Sequence, residues 1–465
     1  MQRTITKDTV EKAGERVLVQ GWVHSRRDMG KITFFDVRDR AGLIQVVIAL
    51  GDLEAGADIL KEIRPEFVVS IEGIVQKRGA KQVNPNIATG TVELLAKKIE
   101  ILNTAKTPPF EIDKDTSAVN EELRLKYRYL DLRSDRMRRN IVLRNRVTQS
   151  FREWLLKNDF LEIETPILTK GTPEGAREFL VPSRVHAGKF YVLPQSPQQF
   201  KQLLMVAGIE RYFQFARCFR DEDQRGDRQP EFTQLDMEMS FVSREDVMTL
   251  VEQMMIDMAR VASPEKRIQQ IPFPRLSYQE AMEKYGSDKP DLREDKNDPN
   301  LLAFCWVVDF PFFEKSDDGG WTFTHNPFSA PKPEHMEWLM EKKNIGEILT
   351  TQYDIALNGY EVGGGSIRNH KPEALRKVFE IMGLSDEQIE SQFGHMLEAL
   401  SFGAPPHGGI APGLDRIVMI LANEPNIREV IPVPKTGDAR DVMMGAPSEL
   451  PPNRLREAHI KIVEG

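Results

Sequence analysis

Within the first hundred or so residues, apolar and polar side chains alternate in five short runs: RVLVQGWVHS, ITFFDVRD, GLIQVVIAL, FVVSIEGIV and TVELLAKKIEIL. Alternation is the period of a half-buried strand, and turn-formers separate the runs (Met29-Gly30, Ala41-Gly42, Asn84-Pro85). Five short strands in so little chain, with one helical insert near Leu53–Ile63, suit a small closed barrel of the OB type. Such barrels commonly bind single-stranded nucleic acid with aromatic and basic side chains on the face of strands 2 and 3. The candidates here are Arg26, Arg27, Phe34 and Gln45. A lone phenylalanine in a small barrel is equally at home in its core. Phe34 and Phe35 are neighbours, however, and strand neighbours point to opposite faces, so one of them faces away from the core.

After residue 104 the alternation stops. A polar, proline-bearing linker (AKTPPFEIDKDTSAVNEE) leads into a basic stretch, and the chain divides on this reading into a barrel at 1–104, a linker or hinge at 105–139, and a third part at 140–465. That last part mixes helical periodicity (NIVLRNRVTQSFREWLLKNDF, QSPQQFKQLLMVAGI) with strands (AFCWVVDFP, YDIALNGYEVGGGSI). It reads as one α+β domain on a mostly antiparallel sheet. A net charge of −8 argues against a simple nucleic-acid binder, yet residues 124–146 hold nine Arg or Lys, which suits either a solvated helix face or the steering of a polyanion. Two cysteines, Cys218 and Cys305, leave no disulfide framework and no cysteine-based zinc site. No signal-like or membrane-spanning apolar run occurs, and a cytoplasmic protein without membrane contact is expected.

The run FRDEDQRGDRQPEFTQLDMEMS, Phe219–Ser240, has the chemistry of a site. It reads as strand, charged loop and strand, and the second strand sends Phe232, Gln234, Asp236 and Glu238 to one face and Thr233, Leu235, Met237 and Met239 to the other. The first face meets an arginine, Arg220, from the partner strand. An arginine fork suits a phosphate, an exposed ring a purine, and carboxylates an ammonium group or Mg²⁺. By composition alone a solvated hairpin explains the same residues equally well.

This stretch closely resembles motif 2 of the class II aminoacyl-tRNA synthetases, in the form carried by their aspartyl branch. Phe160–Pro166 (FLEIETP) resembles motif 1, and Gly408–Leu421 (GGIAPGLDRIVMIL) resembles motif 3. The three occur in register and the resemblance covers nearly the whole chain. It implies an aspartate–tRNA ligase, in which L-aspartate and ATP give aspartyl-adenylate and the aspartyl group passes to the 3′ end of tRNA-Asp, with tRNA-Asn a possible second acceptor. It also implies Mg²⁺ and, through motif 1, a homodimer.

Carried over by residue, the resemblance makes Arg220 and Arg416 the catalytic cations, with Arg220 touching the α-phosphate and the substrate carboxylate. Phe232 and Arg416 sandwich adenine. Glu222 and Gln229 hold base or phosphates, Arg228 reaches the γ-phosphate, and Glu361, Gly413, Leu414 and Asp415 complete the ATP site. Asp354 and Glu361 are the metal carboxylates. They are seven apart, so in one strand they would face opposite sides, and a bend at Asn358-Gly359 is needed to bring them together. For aspartate, Lys201 (in PQSPQQFK) and Arg368 clamp the side-chain carboxylate, Ser196, Gln198 and Asp236 hold the α-ammonium region, His325 reaches the substrate, and Glu174 lies in a loop (GTPEGAREF) that closes over it. In the barrel, Arg27, Phe34, Gln45, Arg78 and Glu93 match anticodon-reading positions.

The chain departs from the pattern in three places. Bacterial-type members carry an insertion of over a hundred residues where only Glu294 to Cys305 stand here, so activity is expected to survive with altered tRNA contacts. Asn326 replaces the second of two adjacent histidines, and Gln82 an asparagine. Two other readings remain: an asparaginyl or lysyl relative, which the two pocket cations disfavour, and a catalytically silent RNA-binding paralogue. None of the phosphate-gripping arginines or metal carboxylates is lost here, as degenerate paralogues usually lose them.

Overall fold

The computed structural model describes residues 1–171, 174–316 and 319–463; Thr172 and Pro173 of the GTPEGAREF loop lie outside the described residues. The chain divides into two compact units, Met1–Arg136 and Met137–Gly465. In the first, β1 (Arg16–Met29), β2 (Ile32–Arg38), β3 (Leu43–Ala49), β4 (Val68–Lys77) and β5 (Val92–Asn103) close a barrel in the order β1-β2-β3-β5-β4. The inward set of the alternation fills it: Val19, Val23, Phe35, Val37, Val46, Ile71 and Leu94 are fully buried. Each such side chain contributes about 1.5–3 kcal/mol by leaving water. Phe35 is therefore the core member of the pair and Phe34, half-buried, faces out. The expected helical insert is instead a pair of short 3₁₀ turns, Leu50–Asp52 and Asp58–Lys61.

The basic stretch is not one solvated face. Arg124 and Arg128 are buried, both against Asp131 at 3.4 and 2.7 Å, and Asp131 also accepts from the Thr116 hydroxyl at 2.6 Å. Charges removed from water persist only when paired, so these arginines stitch two short helices together and offer nothing to a polyanion. Arg26 is likewise structural: its guanidinium donates to the Leu60 and Ile63 carbonyls.

The second unit is built on an eight-stranded sheet. Its strands are β6 (Leu161–Glu162), β7 (Arg211–Phe219), β8 (Glu231–Ser240), β9 (Arg275–Ser277), β10 (Phe304–Val308), β11 (Gln352–Leu357), β12 (Tyr360–Ile367) and β13 (His407–Pro412). Their order is β9-β10-β11-β12-β13-β8-β7-β6, antiparallel except at the two edges, where β9 with β10 and β6 with β7 run parallel. One face packs on the helices α1 (Asp135–Lys157), α3 (Arg244–Ala262) and α5 (Leu414–Ala422), and two others bear on the site, α2 (Gln198–Val206) and α4 (Asp386–Ser401). The packed face takes Leu235, Met237 and Met239 of β8 against Met254, Met255 and Met258 of α3, which leaves the polar half of the alternation on the other side. Ser243 begins α3 with a capping box to Asp246, which satisfies two otherwise orphaned backbone donors. Among the described residues no helix is long and apolar enough to cross a membrane.

Candidate active site

Two adjoining cavities open on the polar face, of about 200 and 210 Å³. The first is lined by Arg220, Glu222, Arg228, Gln229, Phe232, Glu361, Gly413, Asp415 and Arg416, as expected for the nucleotide residues. Leu414 is the exception: its side chain lies in the hydrophobic core, because the first turn of α5 sends it inward while Gly413, Asp415 and Arg416 face the cavity. The second is lined by Glu174, Ser196, Gln198, Lys201, Asp236, His325, Asp354 and Arg368, which brings together segments up to two hundred residues apart. Arg220, Gln234, Glu361 and Ala411 border both cavities, so the two form one continuous cleft.

Arg220 stands at that junction. Its guanidinium carbon lies 5.1 Å from the centre of the Phe232 ring, and its buried Nε donates to nothing among the described residues. An oriented cation without a partner carboxylate is held ready for an anion. Arg416 is anchored differently. It donates to the Glu361 carbonyl at 2.8 Å and pairs with Asp227 at 3.1 Å. Both oxygens of Asp415 are engaged, one by Arg144 of α1 and one by the Thr233 backbone N–H at 2.9 Å, so this residue fixes the start of α5 against β8. Gln229 is pinned at both ends of its amide by the backbone of Lys435, at 2.7 and 3.2 Å. Lys435 and Ile427 come from a distant C-terminal segment, and no local pattern in the sequence flagged them.

The floor of the second cavity is a buried quartet. Lys201 lies 2.8 Å from Asp236 and 3.4 Å from Glu238; Arg368 clasps Glu238 through two bonds of 2.8 and 3.0 Å. All four are at most 3% exposed. Burial pushes the Asp236 carboxyl up, with Lys201 pulling the other way. Against the same burial, Arg368 and Lys201 hold Glu238 below its ordinary value. The expected clamp cations are thus already balanced by two carboxylates. The alternation of β8 puts Glu238 on the site face, and no local pattern in the sequence announces its part in holding the clamp. An ammonium carries three donors, and Lys201 commits one to Asp236 and a second, longer approach to Glu238.

Asp354 and Glu361 come together through a hairpin. Asn358 and Gly359 both have positive φ (51° and 87°), the signature of the two-residue turn that matches strand twist. Ala356 pairs with Glu361 and Ile355 with Gly363, so Val362 is an extra residue that drops into the core. The shift sets Gly364 opposite Asp354. A Cβ on Gly364 would lie 2.9 Å from one Asp354 oxygen and 3.5 Å from one of Glu361, so the two carboxylates meet over a residue with no side chain. Burial, and then the charge of Glu361, raise the Asp354 carboxyl well above its usual range. Two like charges that share a site in this way suit a divalent cation, which supplies the missing positive charge. Among the described residues no cluster of three or more metal-binding side chains is present.

Around the rim, the Ser196 hydroxyl donates to Glu174 at 2.6 Å. His325 packs edge-on to Phe310 at 4.8 Å, and burial lowers its pKa. Asn326 closes a tight turn by accepting from the Phe328 N–H at 3.0 Å. A histidine there would have no equivalent oxygen, so the departure from the family pattern is a turn-forming residue at the cavity edge.

In the barrel the five proposed reader positions form one connected row. Arg27 lies 6.0 Å from the Phe34 ring and 3.2 Å from the Gln45 carbonyl oxygen, Gln45 donates to Glu93 at 3.1 Å, and Arg78 pairs with Glu93 at 3.4 Å. Gln82 contributes its backbone carbonyl to Arg78 at 3.4 Å, a contact that an asparagine would make equally well.

Residues 120–437 match a family described as tRNA synthetases class II (D, K and N), and residues 17–102 match the OB-fold nucleic acid binding domain. An aspartate–tRNA(Asp/Asn) ligase of Dehalococcoides mccartyi is 40% identical over 588 aligned positions, covering 98% of this chain and 98% of the relative. An aspartate–tRNA ligase of Geobacillus kaustophilus is 41% identical, covering 97% of each. With 588 positions aligned to a chain of 465 residues, the Dehalococcoides relative carries well over a hundred positions that have no counterpart here. Among solved structures, the Pyrococcus horikoshii asparaginyl-tRNA synthetase with asparaginyl-adenylate superposes with a TM-score of 0.74 at 23% identity, covering 94% of this chain and 98% of that one. The Entamoeba histolytica aspartyl enzyme gives 0.72 at 22%, covering 93% and 91%. At such identities these structures speak for the fold alone.

Proposed function

The chain belongs to the class II tRNA synthetases of the D, K and N group, and on that premise we propose that it is an aspartate–tRNA ligase whose two joined cavities hold ATP and L-aspartate. The observation that carries this reading is Arg220, a half-buried cation with no carboxylate partner among the described residues, on the border between the two cavities. In an adenylate-forming reaction the α-phosphate and the attacking carboxylate meet at one point and both are anions. A single guanidinium at that point orients them and offsets the charge that develops, with no covalent role for the protein. Phe232 offers the ring for adenine, and Arg416 closes over it.

Choice of amino acid follows from the quartet. Aspartate brings a compact carboxylate to Lys201 and Arg368. Both cations already face Asp236 and Glu238, so the preference rests on bond strength: an asparagine amide would accept weaker, uncharged bonds from them, and lysine would add a third positive group. Ser196, Gln198 and Asp236 then take the ammonium end, and Glu174 covers it. Asp354 and Glu361 fit a Mg²⁺ ion, which when bound supplies charge neutralisation for the phosphates; the chain's own part is to hold two carboxylates together against their repulsion. In the barrel, Phe34 stacks an anticodon base while Arg27, Gln45, Arg78 and Glu93 offer edges for hydrogen bonds.

A homodimer is proposed through the β6 edge. Leu161 on it, and Ile167 and Leu168 in the segment that follows, stay 52, 45 and 54% exposed, apolar side chains of the kind that a second copy covers. Amino-acid-dependent ATP–pyrophosphate exchange tests the main proposal: exchange with aspartate, and not with asparagine or lysine, is expected. Absence of aspartate-dependent exchange refutes it. Charging of tRNA-Asp and tRNA-Asn in parallel then sets the acceptor range.

A further inference from the structure

Helix α2 has two working faces. Gln198, Lys201 and Gln202, spaced three and four apart, serve the aspartate cavity and its floor. Gln199, Phe200 and Leu203 face the other way, into a separate cavity of about 220 Å³ that no step of the proposed reaction uses. Its walls are largely carbon, from Pro194, Phe200 and Leu203. An apolar cavity of about 150 Å³ already admits a benzene ring, so this one has room for a substituted ring.

The polar groups in it are few and specific. Gln199, 6% exposed, has its amide oxygen 2.6 Å from the His395 Nε2 of α4, which donates to it in the Nε2–H tautomer. Its Nε2 is left buried with no acceptor among the described residues. A buried donor without a partner costs about 1–3 kcal/mol, so it marks a place where an acceptor is meant to arrive. On the same cavity lies the Ser196 hydroxyl, which donates to Glu174 and therefore presents its lone pairs. A donor and an acceptor on one cavity, between carbon walls, complement a flat ring that carries both an acceptor and an amino group.

We propose that this cavity is a second binding site, for an amino-substituted nucleobase of the adenine type, with its ring nitrogen accepting from Gln199 and its amino group donating to Ser196. The inference rests on the reading of the neighbouring cavity as the aspartate site. Ser196 and Glu174 line both, so a base in the second cavity holds their hydrogen bond in place and steadies Glu174 over the amino acid. The base arrives either as a free nucleoside or as the terminal nucleotide of the tRNA acceptor end; the chemistry is the same.

The test is a calorimetric titration of adenosine into the full-length protein, with both catalytic cavities filled by a non-hydrolysable aspartyl-adenylate analogue. Saturable binding is expected. It should vanish in Leu203→Trp, which fills the cavity, and weaken about tenfold in Gln199→Leu, the loss of one bond from a buried donor. Pyrophosphate exchange should stay within about twofold of the parent in both variants, since neither residue touches the reacting groups. A raised KM for tRNA in Leu203→Trp identifies the acceptor end as the source, and an unchanged one identifies the free nucleoside. No saturable adenosine binding, together with normal charging in both variants, overturns the proposal. Failure of the analogue to bind would overturn the catalytic reading instead, and adenosine binding that Leu203→Trp removes would still decide the second site.

Discussion

Gly364→Ala puts a methyl group where the two carboxylates of the β11–β12 hairpin converge. The new carbon would stand 2.9 Å from an Asp354 oxygen and 3.5 Å from one of Glu361. Ordinary van der Waals separation is about 3.5 Å, so Asp354 must yield by roughly half an ångström. Its backbone cannot follow, since Asp354 is laddered to Gly364 on one side and Val307 on the other. The side chain turns instead and gives up the 3.1 Å bond from the Gln352 amide. Loss of one buried bond to a charged group costs about 1.5–3 kcal/mol of stability. Displacing one of only two carboxylates should raise the Mg²⁺ needed for half-maximal pyrophosphate exchange at least about tenfold, near 1.4 kcal/mol in binding. Exchange is measured across a Mg²⁺ series, beside Gly437→Ala, where a Cβ meets nothing within 4 Å. If Gly364→Ala lowers the rate but leaves the Mg²⁺ midpoint unchanged, the carboxylate pair is not the metal site.

The same pair predicts a pH effect. Burial and Glu361 raise the Asp354 carboxyl in the fold, so its contribution to stability is full below the ordinary carboxylate range and lost as pH rises through the raised value. Added Mg²⁺ should therefore stabilise the protein more at pH 8 than at pH 5 in thermal melts; equal stabilisation at both refutes the assignment. Lys201→Met leaves Asp236 buried without its nearest cation, with an expected loss of about 3–5 kcal/mol in stability and of aspartate-dependent exchange, while ATP binding by the parent and variant stays comparable. Phe34→Ala should cut tRNA charging by about 1–3 kcal/mol, the worth of one stacked base, and spare exchange; equal loss in both assays would show that the barrel does not read the anticodon. Leu161→Glu should shift sedimentation from dimer to monomer, and an unaltered dimer would place the interface elsewhere.

The sequence carried much of this because its signals were local. The period of β8 sorted Phe232, Gln234, Asp236 and Glu238 from Leu235, Met237 and Met239, and the structure keeps that division; Thr233, assigned by the same period to the core face, instead borders the first cavity. Phe34 and Phe35 separated by the same rule. What stayed hidden depended on contacts across long separations. Arg124 and Arg128 read as solvent-facing because nothing nearby announces that Asp131 buries them. The pinning of Gln229 by Lys435 spans 206 residues, and Leu414 differs from its neighbours only in where the first turn of α5 aims it. The hairpin turn at Asn358-Gly359 was legible as a bend, whereas the bulge that sets Gly364 under the carboxylates was not, since it is a matter of register.

The wall common to the two catalytic cavities, Arg220, Gln234, Glu361 and Ala411, also limits how this protein can escape an inhibitor. A compound confined to one cavity can be evaded by a substitution on that cavity's outer lining. A compound that spans both leans on side chains that border both cavities, so on the proposed reading a change that expels it reshapes the ATP site and the amino-acid site together. Resistance in the growing cell then carries a double fitness cost, and the drug-binding surface is one that selection itself defends.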